Sequence, residues 1–295
     1  MKRSFYYLLA SIFLSVSVQA QKTLIYESDE LRIYDTYISE KSIDNLFPTF
    51  YKEGLLYVSG DDSRYYNLYY APIDGEREKI SISTRFRLGG TAIKGNEIYF
   101  SGLANKEFNY SKNLTVYKGL LEKNKVTKIK PLKFCKYQYM YAHPSLSPSG
   151  EKMVIVTNER ERTHLLELKQ NEKGVWEKAG VIYITHPSFD IINPTYYNED
   201  TIYFASNYSN TGKVENVVIE PEADSIKVVD VIWEPTSYNI YRIEKINGVW
   251  HVPKLVPELS SDFDDLGVLF TNESEGYLTT YRFDDIDNIY YFEIR

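Results

Sequence analysis

INPTYYNEDTIYFASN, residues Ile192–Asn207, is the stretch whose reading decides the fold. It reads as an extended segment, a tight turn at Asn198-Glu199-Asp200, and a strand that ends in a small polar pair. Four further stretches repeat it: FPTFYKEGLLYVSG (Phe47–Gly60), GTAIKGNEIYFSG (Gly90–Gly102), HPSLSPSGEKMVIVTN (His143–Asn158) and DLGVLFTNESEGYLTTYR (Asp265–Arg282). Every one of the five but the last is followed by a second hairpin pattern: Asn67–Ile82, Asn113–Leu132, Thr163–Ile182 and Tyr238–Val256. Two hairpins make a unit of four strands, and units recurring every ~40–50 residues mark an all-β propeller of four-stranded blades.

The ends of the second strands, at Ser59, Ser101, Thr157, Ser206 and Thr280, lie 42, 56 and 49 residues apart, one blade each, and then 74. The excess lies in residues 208–237. There VENVVIE (Val214–Glu220) and SIKVVDVIW (Ser225–Trp233) flank Pro221-Glu222-Ala223-Asp224, a hairpin signal. Five blades with an inserted hairpin at 208–237 account for this, and a degenerate sixth blade is the alternative. The segment from Leu31 to Ile38 is expected to pair with Ile289–Ile294. It would then close the ring as the outer strand of a last blade that lacks a fourth strand of its own.

Residues 1–20 read as a secretory signal peptide. Lys2 and Arg3 precede an apolar core from Tyr6 to Val16, which is too short to span a bilayer, and Val18-Gln19-Ala20 is a cleavage site. Residues 21–295 are then expected to be one exported domain, periplasmic or associated with the outer membrane. The formal net charge of −7 argues against nucleic acid and anionic lipid as partners. Cys135 is the only cysteine, which precludes an internal disulfide, and it reads as a small buried hydrophobe. With 28 Tyr against 14 Phe, aromatic packing is expected to run through tyrosine, a strand-favouring ring.

Three groups on the connecting loops are candidates for binding. Tyr137, Tyr139 and Tyr141, with Phe134 and Phe108 nearby, would share one face of a strand as a platform for a glycan or peptide. Arg64, Arg160, Arg162 and Arg282 could meet a carboxylate ligand. Asp262, Asp264, Asp265, Asp284, Asp285 and Asp287 could offer oxygens to a hard cation, although the spacing is not that of an EF-hand, and Asp also caps turns through its own backbone. No nucleophile elbow, HExxH, CxxC or phosphate-binding glycine loop is present, and His143, His164, His186 and His251 lack metal-ligand spacing. His143 and His186 each precede Pro, at what read as matching starts of blades. No catalysis and no cofactor are expected.

The stretches at His143–Asn158 and Asn193–Asn207 resemble the TolB-like, WD-type propeller repeats of exported bacterial proteins. Residues Ser261–Ile294 resemble the last blade of propellers in OmpA-family envelope proteins of Bacteroidetes, including components of gliding motility and type IX secretion. Two positions depart from that pattern: Ser149 stands where the repeat usually has Asp, and Leu278–Arg282 replaces the usual last-blade motif. No OmpA domain follows within the chain, so cell-wall anchoring is not implied. The resemblance implies a scaffold that binds a protein partner in the envelope. Competing expectations are a glycan-binding module and a propeller enzyme acting on glycans or peptides.

Overall fold

The computed structural model describes residues 23–39, 42–60, 66–73, 75–82, 86–104, 113–208, 214–222, 225–283 and 285–295. The signal-peptide reading of residues 1–20 lies outside them. Among the described residues there is no α-helix, and the one helical turn is a 3-10 turn at Pro257–Leu259. No helix there is long and apolar enough to cross a membrane.

Two short strands, β1 (Leu24–Glu27) and β2 (Leu31–Tyr34), lead into β3 (Asn45–Tyr51), β4 (Gly54–Gly60), β5 (Tyr66–Pro72) and β6 (Glu78–Ile82), an antiparallel meander. A second meander follows in β7 (Phe86–Lys94), β8 (Glu97–Ala104), β9 (Thr115–Glu122) and β10 (Lys125–Pro131). The outer strands β6 and β10 touch through a short parallel pairing, which fuses the two meanders into one sheet. The third is β11 (Tyr141–Leu146), β12 (Lys152–Thr157), β13 (His164–Gln170) and β14 (Trp176–Ile184).

The fourth opens with β15 (Ile191–Asn198) and β16 (Thr201–Ser206). The hairpin β17 (Val214–Glu222) and β18 (Ser225–Trp233) then interrupts it before β19 (Asn239–Ile246) and the split outer strand β20 (Val249–Trp250) and β21 (Lys254–Leu255). Because β16 pairs directly with β19, from Ser206↔Asn239 to Thr201↔Glu244, the hairpin leaves and rejoins the sheet at that connection and forms a two-stranded sheet of its own. The last sheet holds β22 (Asp265–Phe270), β23 (Glu275–Thr280) and β24 (Asn288–Ile294). On β24 lies β2, in the register Leu31↔Ile294 to Tyr34↔Tyr291, and outside it β1. The pairing strand stops at Tyr34, short of the expected Ile38. The chain then follows β24 by side chains, with Thr36 Oγ1 and Ser39 Oγ donating to the Ile289 carbonyl at 2.8 and 2.9 Å.

The inner strands β3, β7, β11, β15 and β22 adjoin one another in turn, and β22 adjoins β3, so the sheets stand around a common axis as a β-propeller. Burial explains why the second strand of a unit is a continuous apolar run. Met153 and Ile155 of β12 pack with Tyr99 and Trp176, while Val154 and Val156 pack with Ile202 and Phe204 of the next sheet. Both faces of a middle strand are core, so alternation is lost.

The tyrosines fill the same layers and place their hydroxyls at the rims. Tyr99 donates to Glu97 at 2.8 Å, Tyr34 to Glu293 at 2.7 Å and Tyr66 to Asp44 at 3.0 Å. A ring that is apolar in the body and polar at the tip suits the half-wet seam between sheets. Gly174 and Gly248 have φ +69° and +82° in the hairpin turns before Trp176 and Trp250, where a side chain would be strained.

Each inner strand bulges at one level. The pairing slips between Leu46 and Thr49, Leu88 and Thr91, Ala142 and Ser145, Ile192 and Thr195, and Asp265 and Gly267. Phe47, His143 and Asn193 occupy the bulges with φ of 57°, 51° and 48°, and each precedes a proline. Proline has no N–H to give to a ladder, and a bulge does not ask for one. His143 is therefore the counterpart of Asn193. The expected match of His143 with His186 is corrected, because His186 lies in the connection ahead of β15.

Candidate functional site

The bulge residues meet on the axis. The Phe47 ring packs edge-on against His143, with centroids 4.9 Å apart. A Cβ on Gly90 would come within 3.4 Å of His143 Nδ1 and 3.7 Å of Asn193 Oδ1, and one on Gly267 would overlap the Asn193 amide. Three side chains thus fill the channel where two glycines make room. Burial pushes the His143 imidazole down to about 4, so the ring is neutral at pH 7.

On the side of the turns that join first and second strands lies a cavity of about 300 Å³ whose walls come from all five inner strands, among them Thr49, Thr91, Ser145, Thr195, Phe50 and Phe270.

The remaining connections lie on the opposite face, and the candidate groups were expected there. The tyrosine platform is not formed. Tyr137 is in a turn and 74% exposed, Tyr139 is partly buried, and Tyr141 is 0% exposed inside the core, its hydroxyl bonded to Glu159. The backbone turns here, with Tyr139 N–H donating to the Lys136 carbonyl at 3.1 Å, so the three rings do not alternate along one strand. Phe134 packs edge-on against Tyr141 as core. Phe108 lies outside the described residues.

Of the arginines, Arg160 and Arg162 are exposed on the β12–β13 turn. Arg282 is already engaged: Nε donates to Asp265 Oδ1 at 2.8 Å and Nη2 to the Leu259 carbonyl at 2.9 Å. That places it as an internal tie and removes it as a ligand clamp. Arg64 lies outside the described residues.

Among the aspartates, Asp265 is the buried partner of Arg282, and Asp264 Oδ1 accepts from the Tyr238 N–H at 2.8 Å. Asp262 and Asp285 are exposed, and Asp284 lies outside the described residues. Burial, then the charges of Asp44 and Asp264, raise the Asp287 carboxyl to about 6. Among the described residues no three His, Cys, Asp or Glu side chains are arranged to hold a metal. Asp264 and Asp265 thus serve as a backbone partner and an ion-pair partner, and the Asp287 carboxyl is repelled by Asp44 and Asp264.

The β17–β18 hairpin stands on this face, clipped at its base by Trp233 N–H on Ser188 Oγ at 3.1 Å and Thr236 N–H on the Asn207 carbonyl at 3.2 Å. Val217 and Val218, neighbours that point to opposite faces, are 41% and 39% exposed, and Val228 and Val229 are 56% and 40% exposed. Both faces of the hairpin therefore present apolar side chains to solvent.

No protein-family model matches the chain, and no curated protein matches its sequence. Solved structures do match. TolB from Acinetobacter baumannii aligns with a TM-score of 0.45 at 15% identity over 85% of this chain and 56% of that one, so this chain spans little more than half of its length. The PQQ-bound aldose sugar dehydrogenase from Streptomyces coelicolor aligns with a TM-score of 0.50 at 10% identity, covering 90% of this chain and 98% of that one. Oligogalacturonate lyase from Vibrio parahaemolyticus aligns with a TM-score of 0.42 at 11% identity over 92% and 97%. At such identities the likeness concerns the fold alone.

Proposed function

We propose that the protein is an exported, non-catalytic propeller that serves as a protein-binding scaffold in the bacterial cell envelope, as an accessory to secretion or gliding machinery. In this reading it has five blades closed by β2 and carries β17–β18 as an inserted docking element. The observation that carries the reading is the hairpin: a two-stranded sheet with apolar side chains exposed on both faces and strand edges that no other described strand covers. An apolar, edge-bearing ribbon on a rigid ring is a surface that a partner can extend or cover. The leader-like residues 1–20 and the resemblance of Ser261–Ile294 to last blades of envelope propellers support the location.

The test is affinity purification from native envelopes with the intact chain and with a variant in which residues 209–235 are replaced by a short Gly-Ser linker. The 3.2 Å bond between Asn207 and Thr236 shows that the ends are close enough to join. A reproducible partner that is retained by the intact chain and lost with the hairpin is expected. Retention of the same set by both proteins, or of none by either, overturns the reading.

A further inference from the structure

The channel cavity lies on the face opposite the hairpin and has a chemistry of its own. At one register position, two residues past the bulge, four successive inner strands carry Thr49, Thr91, Ser145 and Thr195. All four line the cavity.

Three of the four are partly exposed, and two of these keep bonding capacity. Thr49 Oγ1 gives its proton to the Thr91 carbonyl at 2.6 Å and keeps its lone pairs. Ser145 Oγ accepts from the Tyr196 N–H at 3.1 Å and keeps its proton. Thr91 is only 5% exposed and its hydroxyl oxygen is closed off from the cavity, so Thr91 contributes wall and no bonding group.

The lining contains no Asp, Glu, Lys, Arg or His. A charged ligand would lose its hydration there without an ion to replace it. Aromatic rings complete the wall: Phe270 on β22, and Phe50, which stands 44% exposed at the rim of β3. Donors and acceptors spaced around a ring, an apolar plate beside them and no charge describe the complement of a pyranose, whose hydroxyls radiate outward and whose faces are C–H surfaces. A cavity of about 300 Å³ sits at the small end of ligand sites and suits a single sugar unit.

We propose that this mouth of the channel binds a neutral sugar residue, with Thr49, Ser145 and Thr195 bonding its hydroxyls and Phe50 stacking on its face. The site is independent of the hairpin, and either can fail without the other.

The test uses the full folded chain and saturation-transfer NMR with galactose, mannose and N-acetylglucosamine, and with glucuronate as the charged control. Transfer to at least one neutral sugar and none to glucuronate is expected. Phe50→Ala, at an exposed position, should weaken the binding about tenfold through loss of the stacking plate. Thr195→Val keeps the shape and removes a cavity hydroxyl. It should weaken sugar binding while Thr91→Val, whose hydroxyl is closed off from the cavity, leaves it unchanged, a contrast that a purely structural threonine at 195 would not give. No transfer from any of the three neutral sugars, equal transfer from glucuronate, or binding unchanged in both Phe50→Ala and Thr195→Val overturns the proposal.

Discussion

Arg282 and Asp265 form an ion pair inside the seam between the last two sheets: Nε to Oδ1 is 2.8 Å, and the side chains are 9% and 0% exposed. Ser261 Oγ donates to the second carboxylate oxygen at 2.9 Å, and Arg282 Nη2 reaches the 3-10 turn at the Leu259 carbonyl. The pair fastens the end of β23, the start of β22 and the connection ahead of them. Removing the arginine strands a buried carboxylate. Arg282→Ala should therefore cost about 3–5 kcal/mol in urea unfolding, and Arg282→Lys should not restore it, because one ammonium cannot span both acceptors. Arg162→Ala, on the exposed turn, should stay within about 0.5 kcal/mol. A loss no larger at Arg282 than at Arg162 would refute the role as a tie.

The channel plug makes a second prediction. Gly267 has no room for a Cβ beside Asn193. Gly267→Ala should destabilise by about 1–3 kcal/mol through overpacking, and the double variant Gly267→Ala, Asn193→Ala should recover part of that loss. Thermal melts of the two variants decide it. A double variant no more stable than Gly267→Ala would show that the strain does not run through Asn193.

A third concerns Asp287. Its carboxyl in the folded state stands at about 6, against 3.8 for an unperturbed aspartate. The folded protein thus holds this proton more tightly than the unfolded chain does, and stability falls as the pH rises from about 4 through 6. Asp287→Asn removes the repulsion with Asp44 and Asp264. It should be more stable than the parent by about 1–2 kcal/mol above pH 7, with allowance for solvent screening, and should match it at pH 4. Melting curves across that range check the sign.

A fourth runs the opposite way. Partial burial raises the Glu199 carboxyl, but the Ser149 N–H at 2.9 Å and Lys152 outweigh it and hold the group at about 2. A depressed carboxyl adds stability that is fully present above its unfolded value near 4.5 and is lost as the pH falls toward 2. Glu199→Gln should remove that acid-sensitive component, so the gap between the parent and variant melting temperatures narrows below pH 4. A gap that stays constant from pH 6 to pH 2 would exclude the link between the third and fourth sheets through this residue.

The hairpin architecture was legible because each middle strand is buried on both faces. Runs such as Met153–Val156 and Ile202–Ala205 are core whichever way their side chains point, and only turns interrupt them. The pairing of the first residues with β24 was legible for a related reason: the apolar Leu31 and Ile33 had no other sheet in which to be buried.

The aromatic alternation at Tyr137, Tyr139 and Tyr141 misled, because the same spacing fits a strand and a turn that only enters a strand at its end. What separates them is the backbone bond from Tyr139 to Lys136. The channel was the least legible part. Phe47, His143 and Asn193 are far apart in the chain and alike only in preceding Pro48, Pro144 and Pro194. That recurrence of a residue, proline and a hydroxyl marked the cavity wall, but its meaning depends on five strands converging.

The pairing of β2 with β24 has a consequence for biogenesis. Leu31 and its neighbours leave the ribosome ahead of β3 to β23, yet their partner, Ile289–Ile294, leaves after them. Until then β2 must stay uncommitted, and the apolar flank of β24's sheet must stay open. The protein should therefore reach its mature form in one late step, after β24 has been delivered. A chain that lacks the seven residues of β24 should be a substrate for proteases and not a smaller working ring.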